Sequence, residues 1–458
     1  MGLLNLFSSR KTFDHGIHPV EHKEQTADKP IRRLSFAPEL VLPLSQHRGA
    51  PSRPIVKAGQ EVVRGEPIAE ADGYFSVPIH APADGVIRAI DLAPTAEGPR
   101  IPAIFLKVHR ASNQEILYDM PRHLSVLTPD ELIDAVRAAG LVGLGGAAFP
   151  SHVKMKPPEG RKIETLVVNG CECEPYLTCD HRVMVEESDY LVRGIRYAMR
   201  VTGATRAIVG IEDNKPDARA ALRAAIARAG TVAEGEIHAE LVPTKYPQGS
   251  EKMLIMALFG AEVPSGALPL SMGMVVNNVG TLAALGRLLP AGQALTERVV
   301  TVTGPGVARP GDYRVALGTP LKFVLDYAGA PAVDAMEARQ VILGGPMMGQ
   351  AIASLDVPIT KGVSGVLVFR HEDMAEREGR HTYPCIKCGE CVESCPMGLN
   401  PSTLGMLAAK REYDLMGSAY HLGDCFECGC CTYVCPSSIP LVQQFRVAKQ
   451  ILRERAAA

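Results

Sequence analysis

Two short runs near the C-terminal end of this 458-residue sequence each carry four cysteines at the same spacing. The first run, CIKCGECVESCP, extends from Cys385 to Pro396, and the second, CFECGCCTYVCP, extends from Cys425 to Pro436. Both fit C-x2-C-x2-C-x3-C-P, which places three thiolates on one tight loop, where they can bind three corners of an iron–sulfur cubane. The fourth ligand of each cubane has to come from outside its loop.

The fourth ligands are expected to be exchanged between the runs, because in two-cluster ferredoxins the last cysteine of each run binds the other cluster. The predicted ligands of the first [4Fe-4S] cluster are Cys385, Cys388, Cys391 and Cys435, and those of the second are Cys425, Cys428, Cys431 and Cys395. The segment between the runs shows helical periodicity, so we predict a helix-rich two-cluster ferredoxin module.

A pair of zinc sites is the alternative interpretation of these runs, because zinc also binds paired cysteines. Two full copies that each end in Cys-Pro favour iron–sulfur clusters instead. Cys430 is a further cysteine inside the second run. We interpret it as a packed bystander, because the neighbouring spacing already supplies the ligands.

Composition limits the range of functions. The 48 Lys and Arg residues nearly balance the 50 Asp and Glu residues, which gives no electrostatic basis for binding nucleic acid or an anionic membrane surface. No apolar run approaches the roughly 18 residues that a membrane-spanning helix needs. The opening MGLLNLFSSRKTF contains an apolar region that is too short for a secretory signal. We therefore expect a cytoplasmic protein, without a transmembrane segment, whose cysteines are reduced and bind metal.

Composition and periodicity also divide the chain. Short β-like runs broken by turns come first, then strands alternating with helices, then a second β-rich stretch. The predicted segments are an N-terminal arm at 1–33, a β domain at 34–126, an α/β domain at 127–297, a second β domain at 298–366, a charged linker at 367–382, the ferredoxin module at 383–447 and a frayed tail at 448–458.

The clusters raise a problem of electron number. Each cluster carries one electron at a time, whereas a reduced nicotinamide gives up two electrons together as a hydride. A flavin can accept the hydride and release its electrons singly. A flavin site is therefore expected in the α/β domain, and the glycine-rich stretch GLVGLGGAAFPSHVKMK at Gly140–Lys156 is the candidate. Its exposed N–H groups could hold a phosphate, although an ordinary glycine-rich loop explains this stretch equally well. The stretch does not match G-x-G-x-x-G.

Four blocks of the α/β domain resemble, in the same order, the flavin domain of the complex I flavoprotein subunit. They read GLVGLGGAAFPSHVK, NGCECEPY, YPQGSEK and VVNNVGTLAAL. The resemblance implies a Rossmann-like domain that binds FMN non-covalently and uses NADH as substrate. The residues that would line the FMN pocket are Gly143, Gly145, Gly146, Lys154, Asn169, Glu172, Tyr246, Gly249, Asn277, Asn278 and Thr281. The residues that would face the nicotinamide are Phe149, Glu174 and Glu251.

The sequence also departs from that family. Leu144 stands in place of the loop arginine, Cys171 in place of an aspartate, and Ser250 and Gly280 in place of glutamates. An aromatic-rich segment that precedes the Asn-Asn-Val block in complex I is missing, so the departures affect the dinucleotide contacts more than the flavin contacts. Three cysteines lie in the second block, namely Cys171, Cys173 and Cys179. Their spacing fits no standard ligand set, and we interpret them as part of a pocket wall instead of a third metal site.

The two β domains carry their own resemblances. Val56–Ile87 resembles a lipoyl or biotinyl hairpin domain, but the hairpin tip reads ADGYF and no lysine lies between Lys57 and Lys107, which excludes a carrier function. Val299–Gly329 resembles the SLBB β-grasp domain. For this second domain we favour a role in bracing the flavin domain over ligand binding.

Taken whole, the chain resembles the RnfC family of peripheral electron-transport subunits, and GIHPVEHKEQT fits the N-terminal signature of that family. The resemblance implies electron transfer between NADH and ferredoxin through FMN and two [4Fe-4S] clusters, coupled to ion translocation by membrane subunits. It implies partners that include an iron–sulfur subunit and integral membrane subunits, and a place on the cytoplasmic face of the inner membrane. The alternatives are a related subunit that reduces an iron–sulfur transcription sensor and a diaphorase subunit of a soluble complex.

Overall fold

The structure is a computed structural model, and it describes residues 12–457 apart from 117, 119, 122, 159, 231–234, 331–338 and 371–380. The first part of the predicted arm, at 1–11, and most of the predicted linker, at 371–380, lie outside the described residues. Within the described ranges, no helix combines the length and the apolar character needed to cross a bilayer.

The strands, numbered along the chain, form sheets in three regions. They are β1 (Arg32–Arg33), β2 (Glu39–Pro43), β3 (Arg53–Pro54), β4 (Glu61–Val62), β5 (Pro67–Glu70), β6 (Ile79–His80), β7 (Gly85–Ala93), β8 (Ile101–Val108), β9 (Thr165–Gly170), β10 (Arg206–Glu212), β11 (Glu236–Val242), β12 (Met274–Asn278), β13 (Glu297–Thr303), β14 (Gly311–Ala316), β15 (Arg339–Leu343), β16 (Gln350–Ala351) and β17 (Gly365–Arg370).

The α-helices are numbered in the same way. They are α1 (Pro129–Ala138), α2 (Ser151–Met155), α3 (Cys179–Glu186), α4 (Ser188–Thr202), α5 (Pro216–Ala229), α6 (Glu251–Phe259), α7 (Val279–Ala291), α8 (Leu321–Ala328), α9 (Glu390–Glu393), α10 (Pro401–Ala409), α11 (Tyr413–Ser418), α12 (Cys430–Tyr433) and α13 (Leu441–Ala457). The last of these runs through the predicted frayed tail, so that prediction is wrong. Phe445 and Ala448 of α13 pack against Leu404 of α10, and this buried contact keeps the helix in place.

The first β domain consists of two antiparallel sheets, with strand orders β2-β8-β7-β4 and β3-β5-β6. Leu40, Leu42 and Leu106 fill the space between them and are fully buried. The turn between β5 and β6 carries the sequence ADGYF, and Arg137 of α1 donates a hydrogen bond to the carbonyl of Gly73 there, at 2.7 Å. The hairpin tip therefore lies against the α/β domain.

The α/β domain is built on a parallel sheet of order β11-β10-β9-β12. Its helices α4 and α7 pack in unusually close contact, because glycines face each other where they meet. A Cβ at Gly194 would lie 1.8 Å from the carbonyl oxygen of Leu282, and a Cβ at Gly286 would lie 2.0 Å from that of Tyr190. From β9 the chain continues to β10 on one side of β9, whereas β12 lies on the other side. The strand order therefore reverses between β9 and β12, and open α/β sheets bind ligands at such a switch point.

The second β domain is a mixed sheet of order β1-β14-β13-β17-β15-β16. Its edge strand β1 comes from the N-terminal arm and pairs in parallel with β14. Before β1, the arm crosses the α/β domain. The domains are therefore held together by the first described segment of the chain as well as by their own surfaces.

A buried polar group links the arm, the α/β domain and the second β domain. The Asp312 carboxylate of β14 accepts hydrogen bonds from the hydroxyls of Thr178 and Thr301, both at 2.7 Å, and the Thr178 hydroxyl lies 2.8 Å from that of Thr26 on the arm. Burial raises the pKa of Asp312 to about 7. This contact supports the expected bracing role of the second β domain.

Asp312→Asn should change how stability depends on pH. The pKa of Asp312 is about 7 in the folded chain and about 3.9 in an unfolded chain, so between these values the folded chain binds more protons and its stability falls as the pH rises. The wild type should therefore lose up to about 4 kcal/mol relative to Asp312→Asn between pH 4 and pH 8 in urea denaturation.

Asp356→Asn is the matched control for this experiment, because Asp356 is an exposed carboxylate in the same domain. Its stability difference from the wild type should stay constant over the same pH range. A constant difference for Asp312→Asn as well would mean that the Asp312 carboxylate is ionised in the folded protein at all of these pH values.

Candidate functional site

The residues predicted to line a flavin pocket gather at the carboxyl edge of the parallel sheet. Asn169 lies near the end of β9, Asn277 and Asn278 end β12, and Tyr246 and Gly249 follow β11. The Asn169 side chain donates to the carbonyl of Gly249 at 2.8 Å. Three of the resembling blocks are thus brought to the edge where open α/β sheets bind their ligands.

The glycine-rich loop lies over the N-terminus of α7. The Leu144 N–H donates to the Thr281 hydroxyl at 2.8 Å, and Asn278 caps the helix by accepting from the Thr281 N–H at 3.2 Å. A Cβ at Gly145 would lie 3.2 Å from the Asn278 side chain, and Gly146 is exposed with a φ of +103°. Exposed peptide N–H groups next to a helix N-terminus form a suitable environment for a phosphate.

Buried polar atoms without partners provide a test of whether FMN fits. The Gln248 side chain is fully buried, and neither its nitrogen nor its oxygen has a hydrogen-bond partner within the described structure. The buried amide nitrogen of Asn277 is in the same situation. Unpaired buried groups cost about 1–3 kcal/mol each. Gln248 adjoins the predicted pocket residues Tyr246 and Gly249, and Asn277 is itself one of them, so unpaired polar groups lie next to the site where the polar ring of a flavin is expected.

Two buried cations from the second β domain fix the glycine-rich loop from behind. Arg298 donates to the carbonyl of Leu144 at 2.9 Å and also to the carbonyl of Lys361. The Lys361 ammonium donates to the carbonyls of Gly140, at 2.8 Å, and Pro78, at 2.9 Å, and burial lowers its pKa to about 7. The loop is therefore tied to the second β domain at Gly140 and at Leu144.

Glu172 serves as a helix cap. Its carboxylate accepts from the N–H groups of Asp180, at 2.9 Å, and His181, at 3.1 Å, in the first turn of α3. Burial and the Glu172 charge raise the pKa of Asp180 to about 7, and the amide of Asn278 donates to Asp180 at 2.6 Å. Glu172 thus acts on the glycine-rich loop through Asp180 and Asn278. A direct contact between Glu172 and FMN stays a prediction.

Glu174 and Glu251 occupy different surroundings, although both were expected on the nicotinamide side. The Glu174 carboxylate accepts from the N–H groups of Met347, at 3.0 Å, and Met348, at 2.8 Å, and burial raises its pKa to about 7. Glu251 begins α6 and pairs with Lys154 at 3.3 Å, with both side chains partly exposed. The structure therefore leaves Glu251 accessible and turns Glu174 toward the turn that contains Met347.

Phe149 and Gly143 close the glycine-rich loop. The Gly143 N–H donates to the carbonyl of Phe149 at 2.8 Å, which folds the loop back on itself. The Phe149 ring is partly exposed and meets Phe75 of the hairpin tip, with ring centroids 6.3 Å apart.

Tyr246 connects the α/β domain to the second cysteine run. Its side chain is buried, and its hydroxyl donates to the carbonyl of Cys428 at 2.7 Å. Cys430 is fully buried and packs with Tyr246 and Ile17, which agrees with its interpretation as a packed cysteine. Tyr246 was expected in the flavin pocket, and its hydroxyl instead points at the ferredoxin module.

The last cysteine of each run interacts electrostatically with a cysteine of the other run. Burial raises the pKa of Cys425 to about 11, and the charge of Cys395 contributes to this shift, which places the last cysteine of the first run beside the second run. Burial also raises the pKa of Cys391, with a contribution from Cys435. Cys395 therefore interacts with Cys425 and Cys435 with Cys391, and the ligation of the two clusters by these cysteines stays a prediction.

The remaining cysteines have separate partners. The Cys173 thiol accepts from the Gly249 N–H at 3.2 Å, Cys171 lies 3.5 Å from the carbonyl of Gly210, and Cys179 lies 3.3 Å from Glu172. Within the described part of the chain, no three His, Cys, Asp or Glu side chains are arranged to hold a single metal ion. The thiolates of a cubane each bind a different iron, so this finding does not bear on the cysteine runs.

The N-terminal arm contributes a residue that the sequence analysis did not single out. The Lys23 side chain is buried, and its ammonium donates to three carbonyls of one loop, those of Glu172 at 2.6 Å, Glu174 at 3.0 Å and Leu177 at 2.6 Å. The stretch GIHPVEHKEQT was noted only as a signature. Lys23 stands in this stretch among charged residues that are typical of a solvent-exposed segment, so the local sequence does not indicate that its side chain is buried.

Four family models match the chain. They are the RnfC Barrel sandwich hybrid domain at residues 11–110, the Nuo51 FMN-binding domain at 136–287, the SLBB domain at 299–351 and the 4Fe-4S dicluster domain at 384–439. These matches confirm the expected fold class and the expected cofactors, FMN and [4Fe-4S] clusters.

Curated relatives extend over most of the chain. A subunit of the proton-translocating ferredoxin:NAD+ oxidoreductase complex of Clostridium ljungdahlii is 41% identical over 86% of this chain and 84% of its own length. The chain belongs to the RnfC family. The corresponding subunit of the Na+-translocating complex of Acetobacterium woodii is 40% identical over 85% of this chain and 86% of its own length. The expectation of an oxidoreductase subunit in a multi-subunit complex is thereby confirmed.

Solved structures share the fold of this RnfC family member. Chains of an NAD+-reducing [NiFe]-hydrogenase, in the air-oxidized and H2-reduced states, superpose with TM-scores of 0.51 and 0.53 at 23% identity. The superpositions cover 64% and 71% of this chain, and 55% and 64% of the hydrogenase chains. At this identity the likeness concerns the fold alone.

Cys435→Ser should damage the cluster built on Cys385, Cys388 and Cys391, because Cys435 lies with that group. Iron content and electron paramagnetic resonance of the two clusters measure the loss, and Cys171→Ser is the control, since Cys171 lies in the α/β domain and its thiol lies 3.5 Å from the carbonyl of Gly210. Loss of the signal of the cluster on Cys425, Cys428 and Cys431 instead would contradict the exchange of ligands.

Lys23→Met should weaken flavin retention in this RnfC family member. Three buried carbonyls lose their donor, at a cost of roughly 1–3 kcal/mol for each, so the loop from Glu172 to Leu177 should loosen. FMN retained after gel filtration should fall several-fold while the iron content stays unchanged.

The control is Lys29→Met, which removes an exposed ammonium from the same arm. It should retain FMN like the wild type. Equal retention by both variants would mean that the loop keeps its shape without Lys23.

Proposed function

We propose that this chain transfers electrons between NADH and the other subunits of an Rnf complex, in exchange with ferredoxin, while membrane subunits translocate ions. The observation that carries this proposal is the hydrogen bond from Tyr246 to Cys428. It joins an FMN-binding domain directly to a dicluster domain. Relatives at about 40% identity are named ferredoxin:NAD+ oxidoreductase subunits, which supports the same function.

The two kinds of cofactor would supply different parts of the chemistry. Bound FMN supplies the exchange between a hydride and single electrons, and the clusters supply one-electron carriers. The chain's own part is to hold the flavin edge near the ferredoxin module. The glycine-rich loop and the α7 N-terminus would bind the phosphate, Asn277 would lie beside the polar ring, and Tyr246 would fix the distance to the Cys425 run.

The surroundings of the two cysteine runs support a direction through the module. The second run faces the α/β domain, through Tyr246 and through a 2.6 Å hydrogen bond from Ser265 to Asp424. In the first run, Cys385 and Cys388 are exposed. We infer that the second run is the side nearest the flavin and that the first run meets a partner subunit.

The partner would be an iron–sulfur subunit of the complex, reached from the cytoplasmic face of the inner membrane. Cys385, Cys388 and the neighbouring Ile386, which is 68% exposed, form the surface that would dock there. Exposed thiolates and an exposed isoleucine suit a contact that is completed only in the assembled complex.

The intact complex tests the proposal. Denaturation should release FMN, and the complex should reduce ferricyanide with NADH. Absence of flavin after careful isolation, or of NADH-dependent reduction with flavin present, would rule out the NADH dehydrogenase function.

Substitutions in each run test the direction through the module. In Cys425→Ala, NADH should no longer reduce the cluster on the first run, although dithionite should still reduce it. In Cys385→Ala, NADH should still reduce the cluster on the second run, while reduction of the partner subunit is lost. The reverse pattern would mean that the first run lies nearer the flavin.

A further inference from the structure

The hairpin tip of the first β domain presents two large aromatic side chains to solvent. Tyr74 and Phe75 follow Gly73 in the turn between β5 and β6 and are 48% and 52% exposed. Their rings lie edge to face, with centroids 5.4 Å apart. The tip has no lysine for a carrier function, and its aromatic residues have no role in the core of their own domain.

The tip is fixed in place against the glycine-rich loop. His152 of α2 bonds the carbonyl of Tyr74 at 2.9 Å, and Arg137 bonds the carbonyl of Gly73 at 2.7 Å. The backbone at Gly49 also touches the tip directly, because a Cβ added at Gly49 would lie only 1.8 Å from the carbonyl oxygen of Phe75. The aromatic side chains are therefore held in position although they are exposed.

The exposed rings border the predicted flavin site. Phe75 meets Phe149, the last aromatic residue of the glycine-rich loop, at 6.3 Å and 66°. Gly145, Gly146 and Ala147 of the loop are exposed beside it. Arg48 is also exposed, and its N–H donates to the carbonyl of Ala148 at 3.1 Å. Aromatic rings, open peptide groups and an arginine thus share one rim.

Such a rim matches the chemistry of a dinucleotide. Aromatic faces stack on nucleobases with little dependence on base identity, and arginine binds phosphate oxygens. The nicotinamide has to reach the flavin, which would lie at the glycine-rich loop. The tip belongs to another domain and lies beyond Phe149, so it is placed for the opposite end of the dinucleotide.

We infer that Tyr74 and Phe75, next to Phe149, form the adenine-binding wall of the NADH site. This inference rests on the proposed function, since it assigns the dinucleotide to this cleft. It also accounts for the missing aromatic-rich segment before the Asn-Asn-Val block, because the first β domain supplies aromatic surface from a different part of the chain.

The double variant Tyr74→Ala/Phe75→Ala in the intact complex tests the inference. Stacking on an aromatic ring is worth about 1–3 kcal/mol, so the KM for NADH in ferricyanide reduction should rise about tenfold with little change in kcat. Reduced nicotinamide mononucleotide, which lacks adenine, should show the same KM in the variant and the wild type. FMN content should be unchanged.

Two control variants accompany it. Ile90→Ala/Leu92→Ala removes exposed apolar side chains from strand β7 of the same domain and should keep the wild-type KM for NADH. Tyr74→Phe/Phe75→Tyr preserves both rings and should also keep it.

Each contrary outcome has a distinct meaning. An unchanged KM for NADH in the alanine variant, with an active wild type, would overturn the adenine wall and leave the proposed function intact. An equal rise of KM for both donors would place the tip at the nicotinamide end and also overturn it. A wild-type complex that contains FMN but does not oxidise NADH would overturn the proposed function and this inference together.

Discussion

A buried ammonium group determines how the flavin domain meets the ferredoxin module. Lys23 donates to three carbonyls of the loop from Glu172 to Leu177. The burial of an ammonium ion costs several kcal/mol unless its hydrogen bonds are satisfied, so the loop can close only in a shape that surrounds it. In that shape the Glu174 carboxylate binds the backbone at Met347, which packs beside Cys428 and Cys430. A lysine of the arm thereby fixes a contact between the two redox regions.

The acidic groups around this loop belong to the same environment. Glu174, Asp180 and Asp312 each have a pKa near 7, with burial as the largest cause. Near neutral pH these carboxyls are partly protonated and therefore carry less negative charge than exposed acids. In the proposed function, FMN and NADH would both bring phosphate charges to this edge of the sheet. A site whose own acids are partly neutral repels those charges less, and this favours binding.

The sequence predicted what depends on local spacing and missed what depends on distant contacts. The cysteine runs and the four flavin-domain blocks are contiguous patterns, so they indicated the cofactors and the fold class. Lys23, Arg298 and Lys361 bind carbonyls of segments that lie far from them in sequence, and a carbonyl has no sequence signature. Tyr246 is oriented toward the ferredoxin module and Glu174 toward the turn at Met347 in the second β domain, and no local pattern defines where those domains lie. The C-terminal helix was missed because its charged final turns resemble a solvated tail.

The contact between Tyr246 and Cys428 also affects how the protein is made. A ribosome synthesises the α/β domain long before it reaches the second cysteine run, so the flavin edge remains unsupported on that side during most of translation. Contacts between residues so far apart in sequence form late and slowly in folding. The contact between Tyr246 and Cys428 therefore forms only after the ferredoxin module has emerged and folded.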